Sequence, residues 1–287
     1  MFFCLTDDRD LTYKATQRSQ ILNWLSTQPY PDYHRVIKSR VLDETCQWVL
    51  QHDNFTNWKQ KNTNSLFWLH GTQGTGKTCI ASTVIEDCLD VTRRSRNVAH
   101  AYFYCSRSTA EPQRAKAKDI LGCIARQLSV PSTEEPLACQ TVSFFGRMCS
   151  DNGPTETPGL RDLSDLIKDL TETYSGITIV VDALDECGMD ERADLINELK
   201  YITYESVGLV KVFFTSREEA DLRLRLQTCA GIRVTCIDNA SDIEKFVSAE
   251  TDRLVAEDQL LACIQGRVKE ELKALIKEDV VSQAKGM

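Results

Sequence analysis

Gly71-Thr72-Gln73-Gly74-Thr75-Gly76-Lys77-Thr78 meets the pattern G-x-x-x-x-G-K-[ST] at each fixed position. The spacing suits one task. Gly71, Gly74 and Gly76 let the backbone take positive φ and come close to a ligand. Successive amides then turn inward onto phosphate oxygens, with the positive end of the following helix behind them. Lys77 is placed for the β- and γ-phosphates, and the Thr78 hydroxyl for Mg²⁺. The flanks agree. Leu66-Phe67-Trp68-Leu69 is a short apolar run typical of a buried strand, and Ile80, Val84, Ile85, Cys88 and Leu89 recur at helical spacing. Strand, glycine loop and helix form the context that this pattern, the Walker A motif, requires.

A second stretch complements the first. Ile177-Thr178-Ile179-Val180-Val181 is mostly β-branched and reads as a strand buried on both faces, as in a parallel sheet. It runs into Asp182-Ala183-Leu184-Asp185-Glu186, three carboxylates in five residues. Carboxylates at the C-terminal end of such a strand lie in the crevice where open α/β sheets take ligands. Asp182 is placed to hold Mg²⁺, directly or through water, as a Walker B carboxylate does. Asp185 or Glu186 is placed to orient or deprotonate an attacking water. The plain alternative is a surface acidic turn that caps the next helix; the phosphate loop argues against it. Leu209 to Phe214 reads as another strand, ending in Thr215-Ser216-Arg217. Two readings of that tip stand side by side. Arg217 senses or stabilises a γ-phosphate as an arginine finger supplied in cis, or Ser216 caps the helix carrying Leu222, Leu224 and Leu226 while Arg217 faces solvent.

Composition bounds these readings. The chain of 287 residues has room for one large or two ordinary domains. Its net charge of -8 argues against a nucleic-acid partner, which calls for a basic face. The 12 cysteines are scattered, without a C-x-x-C pair or a secretion signal, and read as reduced cytosolic thiols. The four histidines are isolated, which argues against zinc. No stretch is long and apolar enough to span a membrane.

The elements that must position these residues follow in order. Residues 1 to about 20 read as a loose tail. Ile21, Leu22, Trp24 and Leu25 suggest a short helix stopped by Pro29 and Pro31, and Asp43 to His52 a second helical segment. All four tryptophans lie in the first quarter of the chain. Either they pack this lead-in onto the nucleotide domain, or the lead-in also covers the nucleotide base. Asn97 to Tyr104 is a strand and Lys116 to Leu128 a helix. Pro131 to Pro158 is the expected insertion or flexible connection, with a helical turn near Phe144 and Phe145. Arg161 to Thr173 and Asp190 to Ile202 are helices, and Gly231 to Ile237 is a fifth strand. Ser241-Asp242-Ile243-Glu244 has the form of a capping box, after which only helices follow, the last from about Gly266 to Ala284. Alternating strands and helices imply a parallel α/β sheet.

Taken together, these motifs resemble the fungal branch of the NACHT family of signal-transducing P-loop NTPases, often grouped with the nephrocystin-like N-terminal domain and with NLR-like, or STAND, switches. The resemblance rests on Ile21-Leu22-Asn23-Trp24-Leu25, Trp48 and Trp58, the loop in its Trp68-Leu69-His70-Gly71 context, Asp182-Ala183-Leu184-Asp185-Glu186-Cys187, Phe213-Phe214-Thr215-Ser216-Arg217, and Asp238-Asn239-Ala240-Ser241-Asp242-Ile243. It covers roughly residues 20 to 287. It implies an α/β P-loop fold with a five-stranded, mainly parallel sheet in which the sensor strand lies between the loop strand and the acidic strand. It divides the chain into a tail (1–20), a helical lead-in (21–60), a nucleotide-binding domain (61–238) and the start of a helical module (239–287). It assigns Gly71 to Thr78 to phosphate and Mg²⁺, Asp182 to Mg²⁺, Asp185 and Glu186 to water activation, and Arg217 to sensing. The implied ligands are Mg²⁺ and a purine nucleotide, ATP/ADP or GTP/GDP. The implied role is a slow cytoplasmic switch acting through self-oligomerisation or a partner signalling protein, in many fungal members for non-self recognition and cell death.

Relatives usually continue into a winged-helix domain and repeats, whereas this sequence stops at Gly286-Met287, and residues before 20 leave no room for a death-type effector domain. The resemblance thus implies a fragment, or a stand-alone nucleotide module that needs a partner. Two other functions remain open on the sequence: a P-loop kinase moving phosphate to a small acceptor, with 131–158 as its lid, and a truncated nucleotide-binding scaffold without switching.

Overall fold

The computed structural model describes residues 16–95, 97–130, 136–150, 153–154, 157–235 and 237–285. A helical lead-in comes first: α1 (16–25), α2 (Tyr30–Lys38), α3 (Trp48–Gln51) and α4 (Asp53–Gln60). Strands and helices then alternate through β1 (Ser65–Gly71), α5 (Lys77–Arg94), β2 (Val98–Tyr104), α6 (Ala117–Leu128) and α7 (Cys139–Met148). A small antiparallel hairpin, β3 (Cys149–Ser150) and β4 (Gly153–Pro154), precedes α8 (Leu160–Leu170), β5 (Gly176–Asp182), α9 (Met189–Glu205) and β6 (Val210–Ser216). The chain continues with α10 (Ala220–Leu226), β7 (Ala230–Val234), α11 (Ala240–Ala256) and α12 (Arg267–Lys285). Among the described residues no helix is long and apolar enough to cross a membrane.

The five main strands run parallel in the order β2-β5-β6-β1-β7. The strand ending in Thr215-Ser216-Arg217 therefore lies between the loop strand and the acidic strand, as the resemblance implied. Every residue of β6 is buried, which is why it reads as an unbroken apolar run rather than an alternating one. Helices cover both faces. On one, Ile120 and Ile124 of α6, Leu166 and Ile167 of α8, and Leu195 and Leu199 of α9 pack against Ile179, Val212 and Phe214. On the other, Phe67 and Phe213 stack with centroids 5.6 Å apart, under Phe55 and Trp58 of α4 and beside Ile80 and Val84 of α5. Burying each such side chain contributes about 1.5–3 kcal/mol. This packing holds the C-terminal ends of β1, β5 and β6 at one edge, where the phosphate loop, Asp182 and Arg217 meet.

Several local expectations are corrected. Residues 16–20, assigned to the tail, are helical, whereas 1–15 lie outside the described residues. Pro31 opens α2 in place of merely ending α1, because proline at the first helical turn forfeits no intrahelical bond. The segment 43–52 is a turn followed by the four-residue α3, and α4 completes the helical lead-in. Within 131–158, of which 131–135, 151–152 and 155–156 lie outside the described residues, α7 is a helix of 10 residues rather than one turn. It buries Phe144 and Phe145 against Trp24, so this part is packed core rather than a flexible connection. β7 ends at Val234, and Ile237 is 82% exposed. α11 opens at Ala240 behind Asn239, so Ser241 already lies within the first helical turn and cannot serve as the N-cap of a Ser241–Glu244 capping box, while the Asp242 carboxylate bonds the lead-in.

Candidate functional site

β1 delivers its last residue, Gly71, against β7 so closely that a Cβ there would lie 2.5 Å from the Val234 carbonyl oxygen. The loop then turns through two left-handed residues, Gly74 (φ 82°) and Gly76 (φ 71°), conformations that glycine adopts without steric cost. Gly76 is the N-cap of α5, so Lys77 and Thr78 form its first turn, where backbone amides have no helical partner and the helix dipole is positive. Thr72 and Gln73 are exposed at the loop's crest, while Thr75 is buried and donates its hydroxyl hydrogen to Thr72 O at 2.9 Å. The Lys77 ammonium arches back over the loop, donating to Gly71 O at 3.0 Å and Thr72 O at 2.6 Å. Burial pushes its pKa down, and the Asp185 and Asp182 carboxylates oppose that shift.

Asp182 ends β5 with 2% of its surface exposed. Its Oδ1 accepts the Thr215 hydroxyl hydrogen at 2.5 Å, and the Thr78 hydroxyl bonds the same carboxylate. Thr215 in turn accepts the Ala183 N–H at 2.9 Å, so this one threonine fixes both the carboxylate and the turn that follows it. Burial raises the Asp182 pKa, which its hydroxyl partners counter. The paired Thr78 and Asp182 oxygens are hard donors that fit Mg²⁺. Ala183 has φ 56°, so the chain leaves the strand through a left-handed residue, where a β-branched side chain would be strained.

The next two carboxylates are not equivalent. Asp185 is 3% exposed. Its Oδ1 accepts the Arg217 N–H at 2.9 Å and its Oδ2 lies 3.2 Å from Arg217 Nε. The Glu186 side chain remains 29% exposed, with Arg217 Nη2 at 3.9 Å and the Arg107 N–H donating to Oε2 at 3.2 Å. Arg217 therefore lies against the carboxylates with its side chain still 45% exposed. Ser216 caps nothing: its hydroxyl donates to Arg217 O and accepts Trp68 Nε1–H at 2.8 Å, while Glu219 stands at the N-cap of α10.

Lys77, Thr78, Asp182, Asp185, Glu186 and Arg217 all line one cleft of about 350 Å³. Beside it opens a mostly apolar cavity of about 370 Å³, between the lead-in turn (Val41, Leu42, Thr45, Cys46), the loop (Gly74 to Gly76), Asn239, α11 (Asp242, Phe246) and Val280 of α12. Trp58 packs the core, and residues before Trp48 wall this cavity.

Three residues that sequence reasoning did not assign complete the site. Arg107 follows β2 and, besides bonding Glu186, donates from Nη2 to Asp185 O at 2.5 Å. Asn239 donates from Nδ2 to Thr75 O at 2.6 Å and accepts the Trp48 Nε1–H at 3.1 Å. Asp242 accepts the Cys46 N–H at 2.7 Å. For Arg107 the signal was a basic residue at the C-terminal tip of a parallel strand. Asn239 and Asp242 act over distances in sequence that leave no local pattern.

The family described as Nephrocystin 3, N-terminal, matches residues 44–217, from the lead-in turn to Arg217. Vegetative incompatibility protein HET-E-1 of Podospora anserina is 23% identical over 258 residues, which is 86% of this chain and 18% of that protein. Among solved structures, Drosophila ORC bound to DNA overlaps with a TM-score of 0.45 at 14% identity, over 82% of this chain and 50% of that one. The Walker-type ATPase paby2304 of Pyrococcus abyssi overlaps with a TM-score of 0.45 at 12% identity, over 84% of this chain and 62% of that one. Neither overlap is close enough to bear on this chain's activity.

Proposed function

The chain belongs to the family described as Nephrocystin 3, N-terminal, and we propose that it is a regulatory NTPase that binds ATP or GTP with Mg²⁺ and hydrolyses it slowly. One observation carries the reading: the cleft with Lys77, Asp182, Glu186 and Arg217 shares Gln73, Gly74, Gly76 and Cys79 with the apolar cavity beside it. A charged half and an apolar half on either side of one glycine loop match the two halves of a nucleotide.

In this reading the phosphates lie on the amides of Gly71 to Thr78, with Lys77 on the β- and γ-phosphates. Thr78 and Asp182 hold Mg²⁺, which when bound neutralises charge on the phosphates. Glu186, the carboxylate with room for water, accepts the proton of the attacking water. Arg217 meets charge that builds on the γ-phosphate, and Asp185 aims it. The base occupies the cavity between the lead-in and α11. Residues 21–60 serve as lead-in, 61–238 as the nucleotide domain and 239–287 as a helical module. Diphosphate would hold a closed form, and triphosphate would permit opening and signalling through self-association or a partner protein in the cytoplasm. The name of the Podospora relative, a vegetative incompatibility protein, supports a role in incompatibility, which this reading takes as fungal non-self recognition leading to cell death.

The test is to purify the protein without added nucleotide, denature it and identify what is released by chromatography. Stoichiometric ADP or GDP supports the reading and names the base. A protein released empty that then binds neither ATP nor GTP on titration with Mg²⁺ overturns it.

A further inference from the structure

The wall of the apolar cavity contains a backbone conformation that its own residues do not favour. Glu44 (φ 63°) and Cys46 (φ 61°) are both left-handed, with only Thr45 between them. Such residues persist where surrounding structure enforces them. Here the enforcement comes from α11. Asp242 Oδ2 accepts the Cys46 N–H at 2.7 Å, and Lys245 Nζ donates to Glu44 O at 3.3 Å. Asn239, one residue ahead of α11, reaches Trp48 on the lead-in and Thr75 on the loop. Beyond this first turn α11 packs chiefly against α12, and Val247 and Thr251 are its buried residues.

Building on the proposed nucleotide site, we infer that Asp242 is a positioning residue for the base: it holds the lead-in turn in the shape that completes the base cavity, so recognition of the base requires α11 to be docked. The phosphate cleft does not share the dependence on Asp242. Its lining comes from the loop, β5, β6 and the turn after β5, and includes neither Asp242 nor any residue of the 43–46 turn. The grip on phosphates and the grip on the base thereby differ in their dependence on Asp242: the helical segment reaches the phosphate loop through Asn239 and Thr75, but only the base cavity includes the turn that Asp242 holds.

The experiment measures affinity, with Mg²⁺, for ATP, GTP and inorganic tripolyphosphate, which has phosphates but no base. Wild-type protein is expected to bind the preferred nucleotide more tightly than tripolyphosphate. Asp242→Ala is expected to lose about tenfold in affinity for that nucleotide, the size set by an orphaned backbone donor, while tripolyphosphate affinity stays within about twofold. Asp242→Asn, which keeps an oxygen acceptor for the Cys46 N–H, is expected to stay close to wild type. Lys245→Ala, on the surface, is expected to give the same split at smaller size and serves if Asp242→Ala does not fold. Equal loss of nucleotide and tripolyphosphate binding in the variants, or no loss of either, overturns the inference while leaving nucleotide binding intact. Wild-type protein that binds none of the three overturns the nucleotide reading, and this inference with it.

Discussion

Arg217 takes both oxygens of Asp185: its backbone N–H donates to Oδ1 at 2.9 Å and its Nε lies 3.2 Å from Oδ2. In the proposed reaction a carboxylate engaged in this way holds the arginine, and the base is Glu186. Glu186→Gln is therefore expected to leave nucleotide affinity unchanged and to slow single-turnover hydrolysis by about a hundredfold or more. Asp185→Asn is expected to disturb Arg217 and so affect binding and hydrolysis together. A selective loss of hydrolysis in Asp185→Asn alone would reverse the two roles.

Lys77→Ala removes the ammonium that spans the loop. Losing one partner of a partly buried charge pair costs about 2–5 kcal/mol, so affinity should fall roughly 30-fold or more. Calorimetric titration with ATP or GTP reads this directly, and an unchanged affinity would refute the assignment of the loop.

His100 makes stability depend on pH. It sits on β2 with Nδ1 2.9 Å from Thr92 Oγ1, and burial, aided by the charges of His34 and Arg93, lowers its pKa to about 4. An unfolded histidine titrates near 6.5. Between those values the unfolded chain binds the extra proton, so stability is complete at pH 7 and falls as the pH falls. By pH 5 the loss reaches about 2 kcal/mol, and His100→Asn should remove that part of the slope in melting curves recorded from pH 7 to pH 5.

Two glycines should respond in opposite ways to alanine. At Gly231 a Cβ would lie 2.2 Å from the Trp68 carbonyl oxygen, so Gly231→Ala forces β7 away from β1 and costs about 1–3 kcal/mol. At Gly146, exposed on α7, a Cβ meets nothing within 4 Å, and Gly146→Ala should stabilise by about 0.5–1 kcal/mol. Thermal melts of both variants check the pair.

The chemistry was legible where it was contiguous. Loop, acidic turn and strand tip each combine an apolar strand with polar residues at fixed offsets, and the parallel sheet brings the three tips together without further instruction. Even the small residue after Asp182 has a visible reason in the left-handed φ of Ala183. What was illegible is what distant residues impose. The left-handed turn at Glu44 and Cys46 depends on Asp242, 196 positions after Cys46. The capping box predicted at Ser241 to Glu244 fails because the helix opens earlier, at Ala240. α7 lies in a stretch whose Ser, Thr, Gly and Pro content suggests a loop, but Phe144 and Phe145 find Trp24 of α1 and fold it onto the core.

The position of β1 in the sheet has a consequence for biosynthesis. Its neighbours are β6 and β7, so Ser65 waits for Lys211 and Phe67 for Ala230 before either edge is paired. At about 5–20 residues per second, a ribosome needs roughly ten to thirty seconds to supply them. Throughout that interval an apolar strand stands with both edges open to wrong partners. A nucleotide present during synthesis cannot rescue it, because the carboxylates and Arg217 that complete the cleft belong to the strands still to come. The residues of the phosphate loop are thus made well before the strands that fix them in place.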